Sequence, residues 1–267
     1  RLLRTQLDAQ KHYLLAVSGG ADSLALAHGC AALARSGHGA YSVCHVEHGL
    51  RGTEALRDMQ LVQRFCAAYG LPCYVEHVDV RALAAAEHLS VEDAARRLRY
   101  EALRRVAAQV GAAAIVTAHH EGDQAETVLL KLLRGAGLDG LSGMRAQQGD
   151  ILRPLLSLPR ELLEQYCAAE QLEFCHDSTN DDTAYTRNSV RKELLPLLAE
   201  RYNAEIVPAL ARTALLLGED ADFLTQTADA AYARLVTSAE DGLHIALKPL
   251  LAEHIAVRLR VLRRAYF

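Results

Sequence analysis

The chain has 267 residues, enough for one large domain or for a domain with an appendage. A hydrophobic fraction of 51% and a charged fraction of 23% are ordinary for a soluble globular protein, and no apolar run approaches the roughly 20 residues that cross a bilayer. The net charge of −4 excludes a broadly basic surface, so any contact with nucleic-acid phosphates must come from local patches. Six cysteines (Cys30, Cys44, Cys66, Cys73, Cys167, Cys175) include no C-x-x-C pair. That argues against a zinc knuckle, an iron–sulfur cluster or a redox dithiol, and predicts reduced, mostly buried thiols. The chain opens at Arg1 with neither Met nor a secretory apolar core, which predicts a processed or trimmed chain in the cytoplasm.

Over the first two-thirds, short apolar runs alternate with helical patterns, the signature of an α/β fold with a doubly wound parallel sheet. Strands are expected at His12–Val17, Tyr41–Val46, Cys73–Val78 and Ala114–Ala118, with a weaker fifth near Ile151–Leu155. Amphipathic helices are expected at Leu24–Arg35, Glu54–Tyr69 and Val91–Val110. The last begins on Ser90 with Asp93 three residues on, a capping-box-like start, and stops at Gly111. Its apolar stripe, Val91, Ala95, Leu98, Ala102, Val106 and Val110, should face the sheet and leave Arg96, Arg97, Arg99, Arg104 and Arg105 as a basic exterior.

After Arg134, glycines and Pro154 and Pro159 mark a loop-rich passage, and Asp177–Asp182 is a polar turn cluster. Helical texture returns from about Ala204, with Ile206, Leu210, Leu215–Leu217 and Phe223 as apolar markers. A boundary near Tyr202 divides residues 1–202 from a helical portion, 203–267. The final segment, Leu250–Phe267, ends without a cap, which predicts that the natural chain continues into further domains.

The sharpest chemical signal is Ser18-Gly19-Gly20-Ala21-Asp22-Ser23, placed between the first strand and its helix. Glycines let backbone amides approach an anion, and the helix start adds unpaired N–H groups and a positive dipole end. Asp22 would be repelled by a bare phosphate and makes sense beside Mg²⁺. Without a lysine, this is not the loop of ordinary kinases and GTPases. Asp123 and Glu126, three apart after the Ala114–Ala118 strand, place two carboxylates on one helix face where α/β sheets hold ligands.

Residue for residue, Ser18–Ser23 resembles the S-G-G-x-D-S loop of enzymes that split ATP into AMP and pyrophosphate. Further segments single out the tRNA(Ile)-lysidine synthetases within that superfamily. His45-Val46-Glu47-His48-Gly49-Leu50-Arg51 resembles their H-V-N-H-G-L-R, and Arg96-Arg97-Leu98-Arg99-Tyr100 their A-R-x-x-R-Y. His119-His120-Glu121-Gly122-Asp123-Gln124-Ala125-Glu126-Thr127 resembles H-H-x-D-D-Q-A-E-T. Arg153-Pro154-Leu155, Asp177-Ser178-Thr179-Asn180 and Arg187-Asn188-Ser189-Val190-Arg191 continue the likeness in order, to about Leu198.

The resemblance implies a Rossmann-like catalytic fold of the adenine-nucleotide hydrolase type, and ATP and Mg²⁺ as cofactors. The implied substrates are free L-lysine and an isoleucine tRNA with a CAU anticodon. Ser18, Gly19, Gly20, Ala21, Asp22, Ser23 and His45 would bind ATP, and Asp22 and Asp123 the Mg²⁺. Asp22, Arg99, Asp123, Glu126 and Arg187 would be catalytic, with Asp123 and Glu126 also holding the lysine. Arg96, Arg191, Arg263 and Arg264 would contact tRNA. The resemblance implies no membrane association and leaves room for a homodimer. Two positions depart from the pattern: Glu47 stands for Asn, and Gly122 for the first Asp of a doublet. A tRNA thiolase of the same superfamily is the rival reading, weakened by the lack of a C-x-x-C pair; a catalytically dead tRNA-binding module is the third.

Overall fold

The computed structural model describes residues 1–50, 52–175 and 186–266. Arg51 and the Asp177–Asp182 cluster lie outside the described residues. By contact density the chain divides into two compact units, one of residues 1–127 and 144–211, the other of 128–143 and 212–267.

The first unit is a sheet coated on both faces. Its elements run α1 (Leu2–Gln6), β1 (His12–Ala16), α2 (Ala21–Arg35), β2 (Ala40–Glu47), α3 (Thr53–Tyr69), β3 (Cys73–His77), α4 (Val80–Glu87), α5 (Val91–Val110) and β4 (Ala114–Val116). Helix α6 (Glu121–Leu133) follows and contains the boundary between the units; α7 (Leu138–Leu141) lies in the second. The chain then gives β5 (Gln147–Gln148), β6 (Ile151–Leu152), α8 (Arg160–Ala169), α9 (Thr186–Ser189), a π-helical turn (Val190–Leu194) and α10 (Leu195–Arg201). The strand order is β3-β2-β1-β4-β6-β5, parallel except for β5, which pairs antiparallel with β6. Strand order reverses between β1 and β4, and in such sheets ligands bind beyond the carboxyl ends at that point.

Alternation along the strands builds two cores. Tyr13, Leu15, Val43 and Val116 face α2, α3 and α8, whereas Leu14, Cys44 and Ile115 face α5. Helix α5 starts as its sequence directs, with the Ser90 hydroxyl accepting from the Asp93 amide at 3.0 Å and Gly111 closing it at φ +64°. Its inner stripe, however, is Ala94, Tyr100, Ala102, Leu103 and Val106, while Val91 is 43% exposed. The expected stripe is out of phase because Tyr100 turns inward among arginines. The expected basic exterior is also largely neutralised: Arg97 pairs with Glu87 and Glu101, Arg104 with Asp150 and Arg105 with Glu76. The expected fifth strand, β6, is only two residues long, and β5, α4 and α8 were not foreseen from periodicity. All six cysteines are free thiols, four of them buried.

The second unit contains most of α11 (Ile206–Leu235), β7 (Val236–Ala239), β8 (Gly242–Ile245), α12 (Leu247–Ala252) and α13 (Ile255–Tyr266). It is helical apart from the antiparallel β7–β8 hairpin, which helical periodicity did not foresee. Ala228, Ala231, Leu235, Leu250, Val257 and Val261 form its core, while Leu215, Leu216 and Phe223 are exposed. No described helix is long and apolar enough to cross a membrane.

Candidate active site

The loop after β1 is held by its own hydroxyls. The Ser23 hydroxyl accepts from the amides of Ser18 at 3.2 Å and Gly19 at 3.3 Å, and donates to the Gly20 carbonyl at 2.9 Å. Gly19 sits at φ +98°, a conformation that L side chains rarely adopt, which is why glycine stands there. The Cys175 amide anchors the loop from outside, donating to the Gly19 carbonyl at 2.9 Å. Gly20 is the N-cap of α2, so the loop delivers the chain to a 15-residue helix whose first amides point at the same place.

This loop forms one wall of a 490 Å³ cavity in the first unit. Ser18, Gly20, Ala21, Asp22, Ser23, His45, Arg99, Tyr100, Asp123 and Arg191 all line it, each from an element that ends at the carboxyl edge of the sheet or packs there. His45 is 4% exposed, and its Nδ1 donates to the Val17 carbonyl at 2.9 Å, fastening the end of β2 to the start of the loop.

Beyond β4, His120 caps α6. Its backbone N–H donates to Asp123 Oδ2 at 3.1 Å, and the Asp123 amide donates back to His120 Nδ1 at 3.4 Å. His120 Nε2 lies 3.5 Å from Asp123 Oδ2 and 3.8 Å from Asp22 Oδ2. Gly122 makes this possible, because a Cβ there would stand 2.9 Å from His120 Cε1. Glu47, the other departure, accepts from the Gly49 amide at 2.7 Å and stands 3.3 Å from His77.

The carboxylates are not idle. Arg187 Nε donates to Glu126 at 2.7 Å and its Nη2 to Asp123 at 3.3 Å; Arg191 Nε donates to the other Glu126 oxygen and its Nη2 to Asp123 at 3.2 Å. Glu126 is 1% exposed, so two fork-shaped guanidinium groups satisfy a carboxylate that water barely reaches. Arg191, expected to contact tRNA, lines the cavity. Its position on the π-helical turn, a form common at functional sites, was the signal that periodicity could not show.

The charges pull neighbouring groups apart. Burial opposes ionisation of Asp123, yet His120, Arg187 and the hydrogen bond from the His120 backbone N–H outweigh it and hold its carboxyl below the usual value. Asp22 goes the other way: burial raises it, with the Asp123 charge adding and His120 and Arg160 opposing. Burial pushes His119 down to about 3, opposed by Asp123 and reinforced by Arg99, Arg153 and Arg187. His119 is thus a neutral imidazole, with Nδ1 2.8 Å from the Thr117 hydroxyl.

Asp22 Oδ1 is buried without a hydrogen-bond partner, and its nearest cation, Arg160 Nε, is 3.9 Å away. A lone carboxylate oxygen beside a phosphate-type loop fits Mg²⁺, which takes one or two carboxylates and completes its shell with phosphate oxygens and water. Among the described residues, no cluster of three His, Cys, Asp or Glu could cage a metal unaided. Of the remaining expected residues, Arg96 is exposed beside Tyr100. Arg263 pairs with Asp139 at 3.5 Å, and Arg264 pairs with Asp229 and lies 4.5 Å from the Tyr232 ring centre. Sequence reasoning missed Tyr100, Thr117 and Arg160. It also missed Gln124, whose amide grips the Met144 backbone at 2.8 and 2.9 Å.

Comparison with known proteins agrees with this arrangement. The tRNA(Ile)-lysidine synthase of Geobacter sulfurreducens is 41% identical over 255 residues, covering 94% of this chain and 54% of the relative. That of Clostridioides difficile is 34% identical over 254 residues, covering 94% and 55%. That of Chlorobaculum tepidum is 37% identical over 211 residues, covering 79% and 64%. The chain thus spans about half the length of most of these curated relatives. In fold it is similar to the U34-tRNA thiolase NcsA from Methanococcus maripaludis, with a TM-score of 0.67, 17% identity, and 80% and 75% of the two chains covered. Residues 1–198, which hold the loop, the cavity and all four members of the carboxylate–guanidinium network, match the PP-loop domain, and the chain belongs to that family.

Proposed function

We propose that this chain uses ATP to adenylate the wobble cytidine of a CAU-anticodon isoleucine tRNA and then joins free lysine to it, giving lysidine. The observation that carries the reading is one cavity bordered by both the Ser18–Ser23 loop and the Asp123–Glu126–Arg187–Arg191 network. The names of the relatives at 31–41% identity support the choice of substrates.

Ser18 to Ser23 would hold the β- and γ-phosphates on loop amides and hydroxyls, with Asp22 and Asp123 as carboxylates for Mg²⁺. That ion supplies charge neutralisation on the departing pyrophosphate. The cytosine carbon-2 oxygen attacks the α-phosphorus, the bond to pyrophosphate breaks, and Arg99 faces the charge that develops. In the second step the lysine ε-amine attacks carbon-2, the carbon–oxygen bond breaks and AMP leaves. The incoming ammonium would replace a guanidinium at Asp123 or Glu126, while phosphate offers the released arginine a new partner. One of the two carboxylates then takes the proton that the amine must lose.

The test supplies ATP, Mg²⁺, labelled lysine and a CAU-anticodon isoleucine tRNA transcript, with a methionine tRNA as control. Label should enter the isoleucine tRNA alone, with AMP and pyrophosphate released. Asp123→Asn should abolish labelling while ATP still binds; near-normal turnover would remove Asp123 from the mechanism. Thiolated tRNA in place of lysidine would favour the rival enzyme.

A further inference from the structure

The steps above use Arg99 but give no task to Arg96, Tyr100 or Arg153. Arg96, Arg99 and Tyr100 share the N-terminal half of α5, and Arg153 follows β6 at the carboxyl edge of the sheet. The guanidinium carbons of Arg96 and Arg99 each lie 5.2 Å from the Tyr100 ring centre, and Arg153 adjoins the same tyrosine. Tyr100 is 7% exposed and Arg153 3%.

Two features separate this cluster from the rest of the arginines. Arg97, Arg104 and Arg105 on the same helix all have carboxylate partners, whereas among the described residues none pairs with Arg96, Arg99 or Arg153. The Tyr100 hydroxyl and Arg153 Nε are also buried without a well-formed hydrogen bond, the hydroxyl lying against the Arg99 and Arg153 guanidinium groups, and Arg153 Nη1 donates to the Arg145 carbonyl at 2.9 Å. Burial and like-charged neighbours push the guanidinium groups of Arg99 and Arg153 below their usual values, yet such groups stay protonated in proteins. A buried guanidinium without a carboxylate partner is a costly arrangement on its own. An anion would complete it. Tyr100 and Arg99 line the cavity, so an anion has a route in. Guanidinium forks grouped around one tyrosine can match the oxygens of a phosphate.

We propose that Arg96, Arg99, Arg153 and the Tyr100 hydroxyl form a second phosphate subsite, separate from the Ser18–Ser23 loop. It takes a phosphate group either from the α position of the nucleotide or from the backbone of the nucleic-acid substrate. Only the naming of those two sources rests on the function proposed above.

The experiment compares the wild type with Arg153→Met and Tyr100→Phe, measuring affinity for ATP and for a CAU anticodon stem-loop RNA across a salt series. If the nucleotide supplies the phosphate, ATP affinity falls roughly tenfold in Arg153→Met, the lower end for a hydrogen bond to a charged group, and RNA affinity is unchanged. If the RNA supplies it, RNA affinity falls by a similar factor and the salt slope drops by about one. Tyr100→Phe should weaken the same ligand by a smaller factor. A merely structural Arg153 would lower the melting temperature of Arg153→Met and leave both affinities intact, which overturns the subsite, as does any pair of variants with both affinities unchanged. A wild type that binds neither ligand overturns the functional reading instead. The subsite is then decided by inorganic phosphate, which should raise the melting temperature of the wild type more than that of Arg153→Met, where only the Ser18–Ser23 loop remains; equal shifts overturn it.

Discussion

Glu126→Gln is the most informative single change to the carboxylate–guanidinium network. Glu126 is 1% exposed and accepts from both Arg187 and Arg191. The isosteric amide keeps the volume, so no cavity opens, but it removes the charge and turns an N–H₂ group toward one guanidinium. Breaking a buried ion pair from one side costs about 3–5 kcal/mol. The arginine side chains are 28% exposed and can be partly rehydrated, which places the expected loss near the lower end, about 3 kcal/mol. For a chain of this size about 1 kcal/mol moves the midpoint by roughly 2–4 °C, so a drop of about 6–12 °C is expected. Circular dichroism melts at neutral pH measure it directly. Arg191→Met should cost less, because Arg187 stays on Glu126, and combining the two substitutions should cost less than their sum because the residues are coupled. A melting point for Glu126→Gln within 2 °C of the wild type would refute the claim that this network stabilises the unliganded fold.

Three further outcomes follow from local geometry. Gly19→Ala forces an L residue to φ +98°, a strain of about 1–2 kcal/mol, and should weaken ATP binding by an order of magnitude in a titration with a fluorescent ATP analogue; unaltered affinity would show that the loop is not gripping phosphates. Gly122→Asp should lower stability by about 1–3 kcal/mol in urea melts, because its Cβ would stand 2.9 Å from His120 Cε1 and 3.1 Å from Nδ1 and force the ring aside; an unchanged midpoint would mean that His120 moves freely. His28, 7% exposed and 2.8 Å from the Tyr166 hydroxyl, has its imidazole held below the ordinary 6.5 chiefly by burial. Its neutral form is favoured in the folded state, so its contribution is present above pH 6.5 and is lost as pH falls below that value. His28→Gln should flatten the decline in stability below pH 6.5, and a parallel decline in both proteins would exclude the assignment.

The parts of the molecule legible in the sequence are those whose signals are local. Apolar runs at His12–Val17 and Cys73–Val78, the Ser90 cap and the glycine stop at Gly111 each depend on neighbours along the chain, and the structure bears them out, each strand ending one residue earlier. The Ser18–Ser23 turn is legible for the same reason, since its hydrogen bonds close within six residues. What stayed hidden depends on distant partners. Nothing near Arg191 announces that it meets Asp123 and Glu126, which lie 68 and 65 positions away. The inner face of α5 was read only in part: Ala102 and Val106 are buried as expected, but Tyr100 counts as amphipathic in any periodicity, while it packs with Leu14, Cys44, Ile115 and Ile151 from the distant sheet. The β7–β8 hairpin sits in a short, polar stretch where alternation is too brief to register.

The ion pairs of the arginines decide where a chain with a net charge of −4 keeps positive charge. Arg97, Arg104 and Arg105 on α5 are cancelled by Glu87, Glu101, Asp150 and Glu76, and Arg260, Arg263 and Arg264 of α13 by Asp139 and Asp229. Arg99 and Arg153, beside the cavity, are left without a carboxylate partner where walls of low dielectric surround them. A field confined in this way is stronger at the site and weaker over the surface than the same charges spread outside. Arg187 and Arg191 form an intermediate class, charged and inside but already paired, so their attraction for a phosphate appears only to the extent that Asp123 and Glu126 acquire another cation. Phosphate binding and amine binding at this site are therefore expected to be coupled in the same sense, each releasing the groups that the other needs.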